Sequence, residues 1–187
     1  MLLKGIALLA LILAALVFFV AGTPVWSLPL LFLGFDLGLL LLSVLFLWIC
    51  CATVDMSKPQ EEDSRFFRRL MHPYIEALIS IVGIRLHTQG LEKVPTDGRF
   101  LLVCNHLFIA DPGVLLHCFK NSQLAFVTKQ ENDSVFLVGK IMHKILCQPI
   151  DRNNDRAALK TILKCIQLLK EDKVSVCVFP EGYTSKD

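Results

Sequence analysis

The chain has 187 residues and a formal net charge of +2, enough for one domain with its own core. Of its 19 basic and 17 acidic residues only Lys4 and Asp36 fall within Met1–Val54, so the 54% hydrophobic content describes an apolar N-terminal third joined to an ordinarily charged domain. The near-balance of charge excludes a broad basic surface, and no nucleic-acid partner is expected.

Gly5–Ala21 is an unbroken apolar run of 17 residues, closed by Gly22, Thr23 and Pro24. Leu28 to about Ala52 is a second run, interrupted only by Asp36. The first approaches, and the second exceeds, the ~20 residues that a bilayer-spanning helix needs. Lys4 with the first run and Ala21-Gly22 also matches the outline of a signal peptide. The immediate second run favours a retained helical hairpin, because cleavage would leave another apolar segment. Lys58, Arg65, Arg68 and Arg69 follow the second run, and the linker at Gly22–Ser27 carries no charge. The positive-inside rule then places both ends, and the domain that follows, on the cytoplasmic face, whether the hairpin spans the bilayer or enters one leaflet. Asp36 is costly at bilayer depth and is expected at the interface or paired with a neighbouring helix. Trp26 and Trp48 near the segment edges suit aromatic belts.

Phe66, Phe67, Leu70, Met71 and Tyr74 form one helix face, suited equally to a membrane interface or to a core. Ile84–Thr88 alternates with period two before Gly90 and Pro95, which predicts a strand and turn. Phe100–Cys104 reads as a buried strand. Asp111-Pro112 starts a helix, with Asp111 as N-cap and Pro112 at the first helical position. Leu124–Thr128 is a strand, Val135–Leu146 a helix and Cys147–Ile150 a short strand. Asn154 or Asp155 caps a helix whose apolar face is Leu159, Ile162, Leu163, Ile166 and Leu169. Val174–Phe179 is a strand. Strands alternating with helices indicate an α/β domain with a largely parallel sheet, preceded by the hydrophobic hairpin. With only a few residues after Pro180 to cover the last strand, the domain is expected to continue past Asp187, so that its C-terminal part is missing.

The seven cysteines include no C-x-x-C and no Cys/His pair at zinc-finger spacing, so no metal is expected and a reduced setting fits them. An aspartate five residues after a histidine arises by chance in roughly one such sequence in four, so His106 and Asp111 are weak as spacing alone. Geometry strengthens them. On a continuous helix they would point about 140° apart. Here they lie on the loop between a strand and a helix, which can curl carboxylate to imidazole at the C-terminal edge of the sheet. A carboxylate on one ring nitrogen fixes the tautomer and leaves the other nitrogen as a general base. Cys104, two residues before His106, admits a Cys–His nucleophile, although a buried strand cysteine is the plainer reading.

Asn105-His106 with Asp111 after a strand, followed 75 residues after His106 by Phe179-Pro180-Glu181-Gly182, resembles the glycerolipid acyltransferase family, nearest to its 1-acylglycerol-3-phosphate members. Gly83-Ile84-Arg85 through Gly90–Pro95 and Gln148-Pro149-Ile150-Asp151-Arg152 resemble further family blocks, so the likeness covers about Gly83–Lys186. It implies a membrane-anchoring hairpin over 1–54 and the N-terminal part of an acyltransferase domain over 55–187. It implies His106 as the base that deprotonates the acceptor hydroxyl, Asp111 as its orienter, and direct attack on an acyl thioester with no acyl-enzyme. Arg152 would bind phosphate, Lys129 would reach it, and Glu181 and Gly182 would form the acceptor-site pair, with Asn105 and Pro180 supporting the motifs. The implied donor is acyl carrier protein or coenzyme A carrying a fatty acyl group, the acceptor lysophosphatidic acid and the product phosphatidic acid, with no further cofactor. Glycerol-3-phosphate or another lysophospholipid as acceptor, and a non-catalytic lipid-binding protein of the same fold, remain open. Where the family commonly has Thr-Arg after Pro-Glu-Gly, this chain has Tyr183 and Thr184, a departure that removes the expected arginine.

Overall fold

The computed structural model describes residues 1–182. Two long helices come first, α1 (Leu2–Ala21) and α2 (Leu28–Ala52). Gly22 closes α1 in the left-handed conformation at φ 59°, and Pro29 sits in the opening turn of α2, where its missing N–H costs nothing. Both are long and apolar enough to cross a membrane, and only 11% and 6% of their most apolar stretches are buried in protein. Ala10 and Ala14, one turn apart, are the buried residues of α1, where small side chains let two helices approach closely. Asp36 makes no hydrogen bond or ion pair with any described residue, so the helix-paired alternative is not realised among them.

The rest is an α/β unit: α3 (Arg65–Val82), β1 (Leu101–Val103), α4 (Asp111–Cys118), β2 (Leu124–Lys129), α5 (Phe136–Lys144), β3 (Gln148–Ile150), α6 (Asp155–Lys170) and β4 (Ser175–Val178). The four strands form one sheet in the order β1-β4-β2-β3, and every pairing is parallel. All four strands therefore end on the same edge, where loops of α/β proteins build their sites. Helix starts follow sequence: Ser64 accepts the Phe67 N–H at the head of α3, and Asn154 accepts the Ala157 N–H at 3.1 Å at the head of α6.

The core gathers Leu124, Ala125 and Phe126 of β2, Cys177 of β4, Ile145 to Cys147, Leu168 of α6, and Phe67 and Met71 of α3. The α3 face thus takes its core reading, with Phe66 alone turned outward. Leu47, Cys51 and Val54 belong to the same core, so the end of the hairpin is packed into the domain that follows it. Tyr74 donates its hydroxyl to the Ser43 carbonyl at 2.6 Å, and Lys140 donates to the Val54 carbonyl at 2.5 Å. Arg68, buried, fixes α3 to the sheet: its Nε meets both Asp63 carboxylate oxygens at 2.7 Å, and its terminal nitrogens donate to the carbonyls of Leu124 and Ile145.

Four expectations are corrected. Ile84–Thr88 forms no strand: Ile84 and Leu86 turn partly inward and Arg85 and His87 outward, giving the alternation without a ladder partner. β1 is an edge strand with Leu101 and Val103 exposed, not a buried one. In α6 the buried residues are Cys165 and Leu168, while Leu159, Ile162, Leu163 and Ile166 face outward. Asp111 is the first helical residue of α4 and not its cap; Ala110 holds the cap position.

Candidate active site

Parallel pairing of β1 with β4 places Leu102 beside Cys177 and Val103 beside Val178, and Cys104 N–H still bonds the Val178 carbonyl at 3.3 Å. The two loops that follow consequently run side by side. One carries His106 and Asp111, the other Phe179, Pro180, Glu181 and Gly182. On the other side of β4, β2 ends at Lys129 opposite Ile150 of β3, two residues before Arg152. The strand order alone aligns His106, Glu181, Lys129 and Arg152 along one edge.

His106 Nδ1 lies 3.1 Å from Asp111 Oδ2. The same oxygen accepts the backbone N–H of Leu107 at 2.7 Å and of Phe108 at 2.8 Å. A carboxylate only accepts, so in the neutral ring Nδ1 carries the proton and Nε2 has the lone pair. Partial burial alone would raise the Asp111 carboxyl, but the donors on Phe108, His106 and Leu107 outweigh it and hold the group below its usual range. This explains the misplaced cap: the carboxylate is turned back into the loop it organises instead of onto its own helix.

Glu181 Oε2 accepts the His106 backbone N–H at 2.8 Å, joining the two loops. The His106 ring lies on Phe179 with centroids 4.4 Å apart and planes 23° apart, and Phe179 in turn stacks on Phe126 at 6.1 Å. Offset ring contacts of this kind hold an imidazole without spending its nitrogens. Gly182 has φ 74°, a conformation favouring glycine, and a Cβ there would sit 3.5 Å from the Arg152 guanidinium. Lys129 Nζ lies 2.9 Å from Glu131 Oε1.

These residues surround two adjoining cavities. One of about 290 Å³ is lined by His106, Thr128, Lys129, Arg152, Phe179 and Gly182. The next, of about 520 Å³, shares Lys129 and Arg152 and is rimmed by Glu131 and Asn153. A third, apolar space of about 650 Å³ runs between α3, α4 and α5, and meets the first at Ile109 and Phe126. The edge therefore holds an imidazole, two cations and an apolar slot within reach of one another.

Of the residues singled out in the sequence, His106, Asp111, Arg152, Lys129, Glu181 and Gly182 come together here. Asn105 is exposed and makes no hydrogen bond with a described residue, and Pro180 serves the turn before Glu181. Tyr183 and Thr184 lie outside the described residues. Cys104 faces Cys177, with the two sulfurs 3.6 Å apart, and burial pushes its thiol up, opposite to what a Cys–His nucleophile needs. The sequence reading missed the stack of His106, Phe179 and Phe126; Phe179 directly after β4 and Phe126 inside β2 are its only trace.

A family model described as Acyltransferase matches residues 85–187. Over 126 residues the chain is 30% identical to a chloroplastic 1-acyl-sn-glycerol-3-phosphate acyltransferase of Arabidopsis thaliana, covering 65% of this chain and 35% of that protein. It is 31% identical over 107 residues to the 1-acyl-sn-glycerol-3-phosphate acyltransferase of Bacillus subtilis (strain 168), covering 56% of this chain and 51% of that one. In fold it is similar to the crystal structure of the 1-acyl-sn-glycerophosphate (LPA) acyltransferase PlsC from Thermotoga maritima, with a TM-score of 0.55 at 22% identity over 76% of this chain and 54% of that one. The chain spans from about a third to about half the length of the proteins it matches.

Proposed function

The chain belongs to the acyltransferase family, and from that premise we propose that it carries the base and acceptor site for acyl transfer to the sn-2 hydroxyl of 1-acylglycerol-3-phosphate. The observation that carries this reading is the His106–Asp111 bond at the rim of a cavity that also holds Lys129 and Arg152. His106 Nε2 takes the acceptor hydroxyl proton, and the oxygen attacks the thioester carbonyl of acyl-coenzyme A or acyl carrier protein. Collapse of the tetrahedral species expels the thiolate, which recovers the proton from His106. The products are phosphatidic acid and the free thiol. Asp111 stabilises the imidazolium while the proton is held.

Arg152 and Lys129 bind the acceptor phosphate, and Glu181 keeps the His106 loop in register through the backbone N–H. Gly182, without a side chain, leaves the guanidinium of Arg152 open to the ligand. The apolar space reached past Ile109 and Phe126 takes acyl chain. The two N-terminal helices bring the domain to a bilayer, with the site on the cytoplasmic face, where a lipid acceptor and a lipid product need never enter water. An acceptor panel assayed with the complete protein in membranes tests the assignment. 1-Acylglycerol-3-phosphate should out-compete both glycerol-3-phosphate, which lacks the acyl chain, and lysophosphatidylcholine, which lacks the free phosphate. Equal use of all three would overturn it.

A further inference from the structure

Lys129 and Arg152 face one cavity, and the only carboxylate bonded to either of them among the described residues is Glu131. It sits on the 3-10 turn Gln130–Ser134 that follows β2 directly. Its Oε1 is 2.9 Å from Lys129 Nζ, and it lines the same cavity as the Arg152 side chain. The hydrogen bond from Lys129 lowers the Glu131 carboxyl below its usual range, its own backbone N–H adds to this, and Arg152 attracts it from across the cavity. Both members of the pair are largely exposed, at 55% for Lys129 and 67% for Glu131, so the bond is weak and either side chain can swing into water.

We propose that Glu131 is a tethered competitor for the acceptor phosphate, occupying Lys129 while the site is empty and returning to it as the product leaves. The proposal rests on the reading of Lys129 and Arg152 as the phosphate site. A phosphate that is to use both cations must displace the carboxylate from Lys129, and the displaced group is released to solvent at little cost. Every anion that needs Lys129, acceptor and product alike, is thereby bound less tightly than the two cations alone would allow. For an enzyme whose product keeps the phosphate of its acceptor, this limits retention of product at the same site.

The test is kinetic, on the complete protein in membranes, with 1-acylglycerol-3-phosphate as acceptor and inorganic phosphate as inhibitor. Glu131→Gln should lower both the acceptor KM and the phosphate inhibition constant roughly two- to fivefold, the range open to an exposed ion pair. In a Lys129→Met background the same substitution should have a clearly smaller effect on both, since the competition is for Lys129 and only the longer-range attraction to Arg152 is left. No decrease in the Lys129 protein, or an equal decrease in the Lys129→Met background, would overturn the proposal. Lys129→Met alone separates the two readings. If it raises KM while Glu131→Gln is silent, only the competitor fails; if it leaves KM unchanged, the phosphate site itself is wrong and the proposal falls with it.

Discussion

Asp111 Oδ2 receives donors from the His106 ring and from two successive backbone N–H groups, so one atom both folds the loop and orients the imidazole. These two tasks separate in Asp111→Asn. The amide oxygen can still accept the backbone donors, but the charge opposite the imidazolium is gone and the amide N–H₂ favours the wrong tautomer. We expect activity to fall by ~10²–10⁴-fold, with the thermal midpoint at neutral pH little changed, both measured on one preparation. A fully active, stable variant would confine Asp111 to structure. Acid adds a second check. A folded carboxyl below its unfolded value of about 3.9 stabilises fully above that value, and the contribution is lost as pH falls through the lower folded value. Urea unfolding of the wild type between neutral and strongly acid pH should therefore show a loss that Asp111→Asn lacks. An identical acid limb in both proteins would contradict the bonding described. His106 and Asp111 were legible in the sequence because their pairing is confined to one short loop. The Phe179 ring over His106 was not, because only the β1–β4 register brings residues 73 positions apart in sequence face to face.

The existence of α6 could be read from its cap and periodicity, but not which of its faces is buried. Apolar residues cover more than half its circumference, and burial goes to Cys165 and Leu168 because the helix packs back on β3 and β4. Two substitutions separate the expected face from the observed one. Leu168→Ala should cost ~2–5 kcal/mol, whereas Leu163→Ser should stay within about 0.5 kcal/mol, both by urea denaturation of the whole chain. Reversed magnitudes would restore the face expected from periodicity. The failed strand at Ile84–Thr88 has the same origin. Period two reports alternating burial, and a strand also requires a neighbour with a free edge, which local sequence does not supply.

The apolar hairpin is packed into the domain that follows it. Composition shows a break at about residue 54, yet Leu47, Cys51 and Val54 sit in the same core as β2 and α5, and Trp48 stacks on Phe136 at 5.6 Å. Leu47→Ala should therefore lower the thermal midpoint of the entire domain, by a destabilisation of ~2–5 kcal/mol. An unchanged midpoint in lipid nanodiscs would show that the hairpin and the sheet are energetically separate. The parallel sheet brings the ends of four strands to one edge, and the end of the hairpin is built into the same core. The proposed chemistry depends most on His106. Acyl transfer from an acyl thioester to 1-acylglycerol-3-phosphate, measured for the complete protein in membranes against His106→Ala, tests it most directly. A loss of ~10²–10⁴-fold, as removal of a general base entails, is the predicted result; equal rates in the two proteins would contradict the mechanism.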